Sequence, residues 1–192
     1  MSGLQFFPPK KGRRVYIVQG EQYIDDHPET MITTVLGSCI AACLWDPSIG
    51  LGGMNHFLLP GEDAGAELLY PVGNSMRYGV YAMELLVNCL LQRGAQRKNL
   101  RAKLFGGARM MSGLTNIGDL NASFAEHFLR TEGIMVIGGS VRGDRGRRIQ
   151  FWPATGRARQ VLLRVENDLP FAAERDTPLP SPLVSPGTVE LF

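Results

Sequence analysis

Three features of this 192-residue chain predict a fold of mixed strands and helices: several short β-capable runs, two stretches with apolar side chains at helical spacing, and turn-forming clusters between them. Composition agrees, since 44% hydrophobic and 20% charged residues are ordinary globular material for one substantial core. One domain with tails is the expectation.

Residues 1–14 combine Pro8, Pro9 and a Lys-Lys-Gly-Arg-Arg cluster, which suits a flexible arm. The body then spans 15–165. Val15 to Val18 reads as a short strand, Asp25-Asp26-His27-Pro28 as a turn, and Met31 to Leu36 as a β-branched strand ending at Gly37-Ser38.

Cys39 to Trp45 and Leu51 to Leu59 flank Asp46-Pro47-Ser48-Ile49-Gly50, a sequence with turn chemistry at each position. A β-hairpin follows. With an even-length loop centred on Pro47-Ser48, Cys39 would stand directly opposite His56 on one face, Cβ atoms roughly 4.5–5.5 Å apart. A free thiol, pKa about 8.5, is mostly protonated at neutral pH, and a neighbouring imidazolium favours its thiolate. Such a pair is a nucleophile with its own proton carrier. A small buried Cys and a satisfied His in a core are the plainer reading of the same residues. The amides around Ser38 and Cys39, at a Gly-Ser junction, could face a developing oxyanion; a simple β-corner is the alternative.

Residues 61–73 read as a loop. Asn74-Ser75 then caps a helix from Met76 to Arg93, with Met83, Leu86, Val87, Leu90 and Leu91 on its apolar stripe and Gly94 as its stop. Leu100 to Phe105 is a strand, and the small side chains of Gly106-Gly107-Ala108 would let another backbone come close. Leu120 to Arg130 is a second helix, with His127 on its surface. Ile134 to Ile137 is a strand, 138–147 a flexible basic loop, and Arg148 to Trp152 with Ala158 to Val165 a hairpin. Residues 166–192 hold five of the chain's twelve prolines and read as a disordered tail.

The formal net charge of +2 gives no nucleic-acid signal. Cys39, Cys43 and Cys89 fit neither a four-ligand zinc site nor a disulfide framework, which points to a reducing cytoplasm. No signal peptide and no run of roughly 20 apolar residues is present, so no membrane insertion is expected. A metal or redox site using Cys39, Cys43 and His56 is a further reading. On one strand the two cysteines would stand roughly 13 Å apart, too far for one ion.

TVLGSC at Thr34 to Cys39, the Asp46-Pro47 turn, GGMNHFLLP at Gly52 to Pro60 and AKLFGGARM at Ala102 to Met110 resemble the CheD family of chemoreceptor glutamine deamidases. The resemblance implies a three-layer α/β sandwich with a mixed, largely antiparallel β core and two main helices, similar to the deamidase domain of cytotoxic necrotizing factors. It implies a catalytic triad of Cys39, His56 and Thr33, the last by a six-residue offset from the cysteine, with Thr34 its nearest competitor. It also implies an open groove for receptor glutamines, rimmed by Gly106 to Ala108 with Met110 and Met111. No cofactor is expected.

The implied partners are the cytoplasmic domains of methyl-accepting chemotaxis receptors and a CheC-type phosphatase, with receptor methylesterase activity a possible companion. The chain departs from the family's Ile-Gly-x-Arg-Asn at Ile117 to Asn121, where Leu120 replaces the Arg, and its 138–147 segment is long. A non-catalytic chemotaxis regulator that binds the same partners is the reading from another class.

Overall fold

The computed structural model describes residues 13–59, 72–110 and 117–163. The expected arm up to residue 12, the 61–71 loop, Met111 and the 166–192 tail lie outside these.

Among the described residues, nine strands and two α-helices run in the order β1 (Arg14–Tyr16), β2 (Gln22–Asp25), β3 (Met31–Leu36), β4 (Ile40–Asp46), β5 (Leu51–Asn55), α1 (Val72–Gln92), β6 (Arg101–Gly106), α2 (Ile117–Thr131), β7 (Met135–Val141), β8 (Arg147–Trp152) and β9 (Arg157–Leu162). They build two sheets, ordered β1-β3-β8-β9 and β2-β5-β4-β6-β7. β1 with β3 and β6 with β7 are parallel pairs, and the remaining neighbours are antiparallel.

Alternation along β4 explains the layering. Cys39, Ala41, Cys43 and Trp45 point toward the first sheet and pack with Ile32, Leu36, Ile149 and Phe151. Ile40, Ala42 and Leu44 point the other way, into Met83, Leu86 and Leu90 of α1 and Phe124 and Leu129 of α2. The result is the expected sandwich of sheet, sheet and helices, and β4, buried along its whole length, is its centre.

Several local expectations shift. β2 occupies residues to which the sequence reading gave no element, apart from Asp25 of the expected turn, because its four residues are half-buried and carry no alternation. α1 begins at Val72, so Asn74 and Ser75 lie within the helix and not before it. Residues 138–141 continue β7 alongside β6, which leaves a much shorter loop. That loop is anchored: Arg142 donates to Asp119 at 2.5 Å and to both Glu126 oxygens at 2.8 and 2.9 Å, and Arg147 is buried. Leu120, where the family motif has Arg, is 52% exposed, so that departure falls on the surface.

The turn at the end of β6 brings two backbones together as its sequence suggested. Gly106 has φ +109°, and a Cβ there would stand 2.0 Å from the Cys39 carbonyl oxygen. Gly94 also has positive φ, +99°, but faces open space. Gly94→Ala should therefore cost only the strain of a left-handed residue, about 1 kcal/mol, whereas Gly106→Ala must also displace the cysteine loop and should cost at least about 2–3 kcal/mol. Urea midpoints of the two variants check the order; equal losses would refute it.

Candidate active site

The hairpin of β4 and β5 pairs Asp46 with Leu51, Leu44 with Gly53 and Cys43 with Met54, and a bridge between Ile40 and Phe57 continues the same register. The loop is thus centred one residue later than expected. Asp46 closes it, accepting from Ser48 N–H at 2.9 Å, while Gly50 N–H reaches the Asp46 carbonyl at 3.0 Å. The change moves every partner by two positions, which preserves the faces. His56 therefore shares Cys39's face as a diagonal neighbour, not the directly opposite one, a separation typically of roughly 7–8 Å between Cα atoms and still within side-chain reach.

The ladder opens beside the histidine. Ala42 N–H is taken by the Asn55 side-chain oxygen at 3.0 Å, and the Asn55 amide donates to Ala82 O on α1 at 3.1 Å. The His56 backbone turns to the preceding segment: Gly20 N–H donates to His56 O at 2.8 Å, and His56 N–H to Glu21 O at 3.0 Å.

His56 Nδ1 lies 2.8 Å from the hydroxyl of Thr34, not of Thr33. Even-numbered residues of β3 face the second sheet, Ile32 and Leu36 among them, so Thr34 is the threonine that looks at the imidazole. Thr33 donates instead to Ile149 O at 2.7 Å. A count of six residues back from Cys39 fixes no strand face.

The Thr34 contact also sets the tautomer. Its one hydroxyl proton goes to Ile17 O at 2.8 Å, since a carbonyl only accepts. Toward the ring the hydroxyl oxygen must accept, so Nδ1 carries the hydrogen and Nε2 holds a lone pair. That Nε2 is buried and has no hydrogen-bond partner among the described residues. Burial lowers the imidazole from its ordinary value to about 4, so the resting ring is neutral. The expected imidazolium beside the thiol is therefore not the resting state.

Cys39 sits on a loop held by its carbonyls. Gly37 O accepts from Ala108 N–H and Cys39 O from Gly107 N–H, both at 2.8 Å, and Ser38 O accepts from Asn121 Nδ2 at 3.1 Å. Asn121, fully buried on α2, also accepts from Leu59 N–H at 2.7 Å and so ties the loop to the chain leaving His56. Because C=O and N–H are antiparallel in a trans peptide, this one-sided tethering turns the Ser38 and Cys39 amides toward the opposite side. The thiol donates to Gln19 Oε1 at 3.7 Å.

Cys39 is 4% exposed and His56 1%, so among the described residues the pair is covered, where an open groove was expected. The turn carrying Gln19 and the side of α1 carrying Tyr78 lie over the site. Burial and then the nearby Cys39 raise the Tyr78 phenol. A cavity of about 40 Å³ beside them is lined by Gly20, Glu21, His56 and Tyr78 among others. Met110, proposed for the rim, is 38% exposed.

The other candidates separate cleanly. Cys43 is fully buried and burial pushes its thiol well up; Cys89 accepts from Gln22 on the far side of the second sheet; His127 contacts Arg130. Among the described residues, no group of three or more His, Cys, Asp or Glu could hold a metal, and no helix is long and apolar enough to cross a membrane. Sequence reasoning missed Gln19, Asn55 and Asn121. Asn55, a poor β-former just before the histidine, and Asn121, the last residue of the family motif, left signals; Gln19 left none.

A thiol and an imidazole whose Nδ1 is fixed as hydrogen donor, facing one way from neighbouring strands, are residue types that thiol-dependent acyl transfer uses. A family model described as CheD chemotactic sensory transduction matches residues 58–161. A curated Acidiphilium cryptum (strain JF-5) protein named "Probable chemoreceptor glutamine deamidase CheD" is 58% identical and covers 96% of each chain. A Caulobacter vibrioides (strain NA1000 / CB15N) protein of the same name is 49% identical over 100% of each chain. Another from Agrobacterium fabrum (strain C58 / ATCC 33970) is 48% identical over 94% of this chain and 97% of its own. Among solved structures, Bacillus licheniformis hypothetical protein YfiH has TM-score 0.40 at 13% identity, covering 68% of this chain and 60% of that one. This chain belongs to the CheD family, as the resemblance in its sequence implied.

The buried imidazole makes stability depend on pH. The unfolded chain takes up a proton below about 6.5 and the folded one only near 4, so stability is complete above that window and falls by up to about 3 kcal/mol as pH drops through it. Thermal unfolding from about pH 7 to about pH 4 should show wild type losing more than His56→Gln does. Parallel curves would mean that the imidazole is already charged in the fold.

Proposed function

We propose that this chain is a protein-glutamine deamidase that converts glutamines of chemoreceptor cytoplasmic domains to glutamates through a thioester on Cys39. The relatives' printed names support the substrate class. The observation that carries the chemistry is the Thr34 hydroxyl on His56 Nδ1, because it leaves Nε2 as a base on the cysteine's face.

In this reading, the Cys39 proton passes to His56 Nε2 as sulfur attacks the carboxamide carbon. The oxyanion is met by the Ser38 and Cys39 amides, where one donor is typically worth about 2.7–4 kcal/mol. The imidazolium returns its proton to the departing ammonia, leaving the thioester. Nε2 then takes a proton from water, and hydrolysis releases glutamate and the thiol. Thr34 positions the ring throughout, the part that the sequence resemblance gave to Thr33. A receptor methyl ester could enter the same acyl-enzyme with methanol as leaving group, which extends the proposal to methylesterase activity, with a CheC-type phosphatase as a second partner.

The nearly complete burial of the thiol favours one rival, a non-catalytic regulator that binds receptors or the phosphatase. Purified receptor cytoplasmic domain incubated with wild type should gain about one dalton per glutamine converted, and with Cys39→Ala should gain nothing. Equal masses would leave only the regulator.

Thr34→Val should lower kcat roughly 10–100-fold, equivalent to about 1.4–2.7 kcal/mol, with KM little changed. Thr33→Val should mainly cost stability. Steady-state kinetics on the receptor domain check the contrast; the reverse order would return the positioning role to Thr33.

A further inference from the structure

Resting on the deamidase reading, we infer that Gln19 is a specificity-determining residue: its carboxamide occupies the place of the substrate carboxamide at Cys39 and is displaced only when a receptor glutamine enters. The side chain at Cys39's sulfur carries the same functional group as the proposed substrate, and its Oε1 accepts the thiol hydrogen at 3.7 Å. At the same time His56 Nε2, the atom that should accept that hydrogen during attack, is buried and unpartnered among the described residues. The two facts are complementary. With its hydrogen directed to Gln19, the sulfur is uncoupled from its base.

The backbone holds Gln19 in this place by construction. Val18 to Glu21 is a β-turn closed by Glu21 N–H to Val18 O at 3.0 Å, and the Glu21 carboxylate accepts from Val18 N–H at 2.9 Å. Gly20, at the third position, has φ +88°, the conformation a type II turn requires there, and Tyr78 Oη stands 3.5 Å from where a Cβ would lie. Both ends of the turn are fastened to the catalytic elements. On one side Ile17 N–H donates to Thr33 O and Ile17 O accepts from Thr34; on the other Gly20 and Glu21 exchange backbone hydrogen bonds with His56. A five-residue segment gripped at both ends thus presents one half-buried glutamine to the nucleophile.

The consequence is selectivity. A small amide, free glutamine or a flexible peptide has little binding energy with which to displace a tethered side chain. A folded receptor can draw on contacts distant from its glutamine, the usual way remote binding energy is used at a reacting centre. When Gln19 leaves, the thiol turns to Nε2 and the pair becomes competent. The reactive fraction of the resting enzyme is reduced by whatever population the Gln19 contact holds, and a single neutral hydrogen bond supplies a factor of about three to ten.

The test uses the full chain with Gln19→Ala and Gln19→Asn, the latter keeping a carboxamide one methylene shorter. Iodoacetamide labelling, read by peptide mass for each cysteine, measures access to Cys39 without any receptor; fully buried Cys43 reports general opening. Cys39 in Gln19→Ala should label about three- to tenfold faster than in wild type, Gln19→Asn should fall between them, and Cys43 should stay unlabelled. With a short glutamine peptide and the receptor domain as substrates, Gln19→Ala should gain kcat/KM on the peptide more than on the receptor.

Unchanged or slower Cys39 labelling, a rise shared by Cys43, or a loss of turnover in Gln19→Ala would overturn the inference. So would a wild-type chain already carrying glutamate at position 19, because Gln19 would then be a substrate. Failure of the deamidase reading looks different: no variant alters the receptor's mass, while the labelling rates still report on Gln19.

Discussion

A single hydroxyl proton organises this site. Thr34 has one hydrogen to give, and the Ile17 carbonyl, which cannot donate, receives it. The imidazole across the inter-sheet space must therefore supply its own hydrogen to the threonine oxygen, and the ring has only one position left for a lone pair. The contact also joins the layers, since Thr34 belongs to the first sheet and His56 follows a strand of the second. Any sliding of the sheets that broke it would leave His56 Nδ1 buried without a partner, a cost of about 1–3 kcal/mol.

The cysteine is fixed by a different device. No regular ladder runs through Gly37 to Cys39, so their carbonyls are satisfied from one side by Gly107, Ala108 and Asn121. Close approach makes this possible: Gly118 on the first turn of α2 would place a Cβ only 2.5 Å from the Gly107 and Ala108 carbonyls. The family motif around Ile117 to Asn121 thus has a physical reading in this chain. Its glycine lets the helix dock and its asparagine ties the nucleophile loop to the chain beyond the histidine. The position where Arg is replaced by Leu120 takes no part, and neighbouring Asp119 instead binds Arg142.

What could be read from the sequence was what depends on local chemistry. β3 begins and ends where its β-branched run does, the Asp46 to Gly50 turn is where Pro and Gly placed it, and Gly106-Gly107 proved a close approach. Cys39 and His56 fell on one face although their register was misjudged, because a slip of two residues leaves faces unchanged. Thr33 and Thr34 differ by one residue, and one residue reverses the face. Gln19 was beyond reach for another reason: its meaning lies in a turn whose partners, Thr34 and His56, are far along the chain. The basic loop misled because counting arginines says nothing of the carboxylates waiting on α2.

Burial has opposite effects on the two halves of the pair. A dry imidazole resists protonation, so it stays available as a base through most of the acid range; for the same reason it gives no standing positive charge to hold a thiolate. Many thiol hydrolases rely on such a preformed ion pair. In the proposed reaction the neutral thiol and neutral ring would exchange their proton only in the presence of substrate, when the Ser38 and Cys39 amides would meet the developing oxyanion. A site built this way is quiet when empty. That would suit the proposed deamidation, in which a few glutamines on a folded partner are attacked and every other carboxamide nearby, Gln19 included, is left alone.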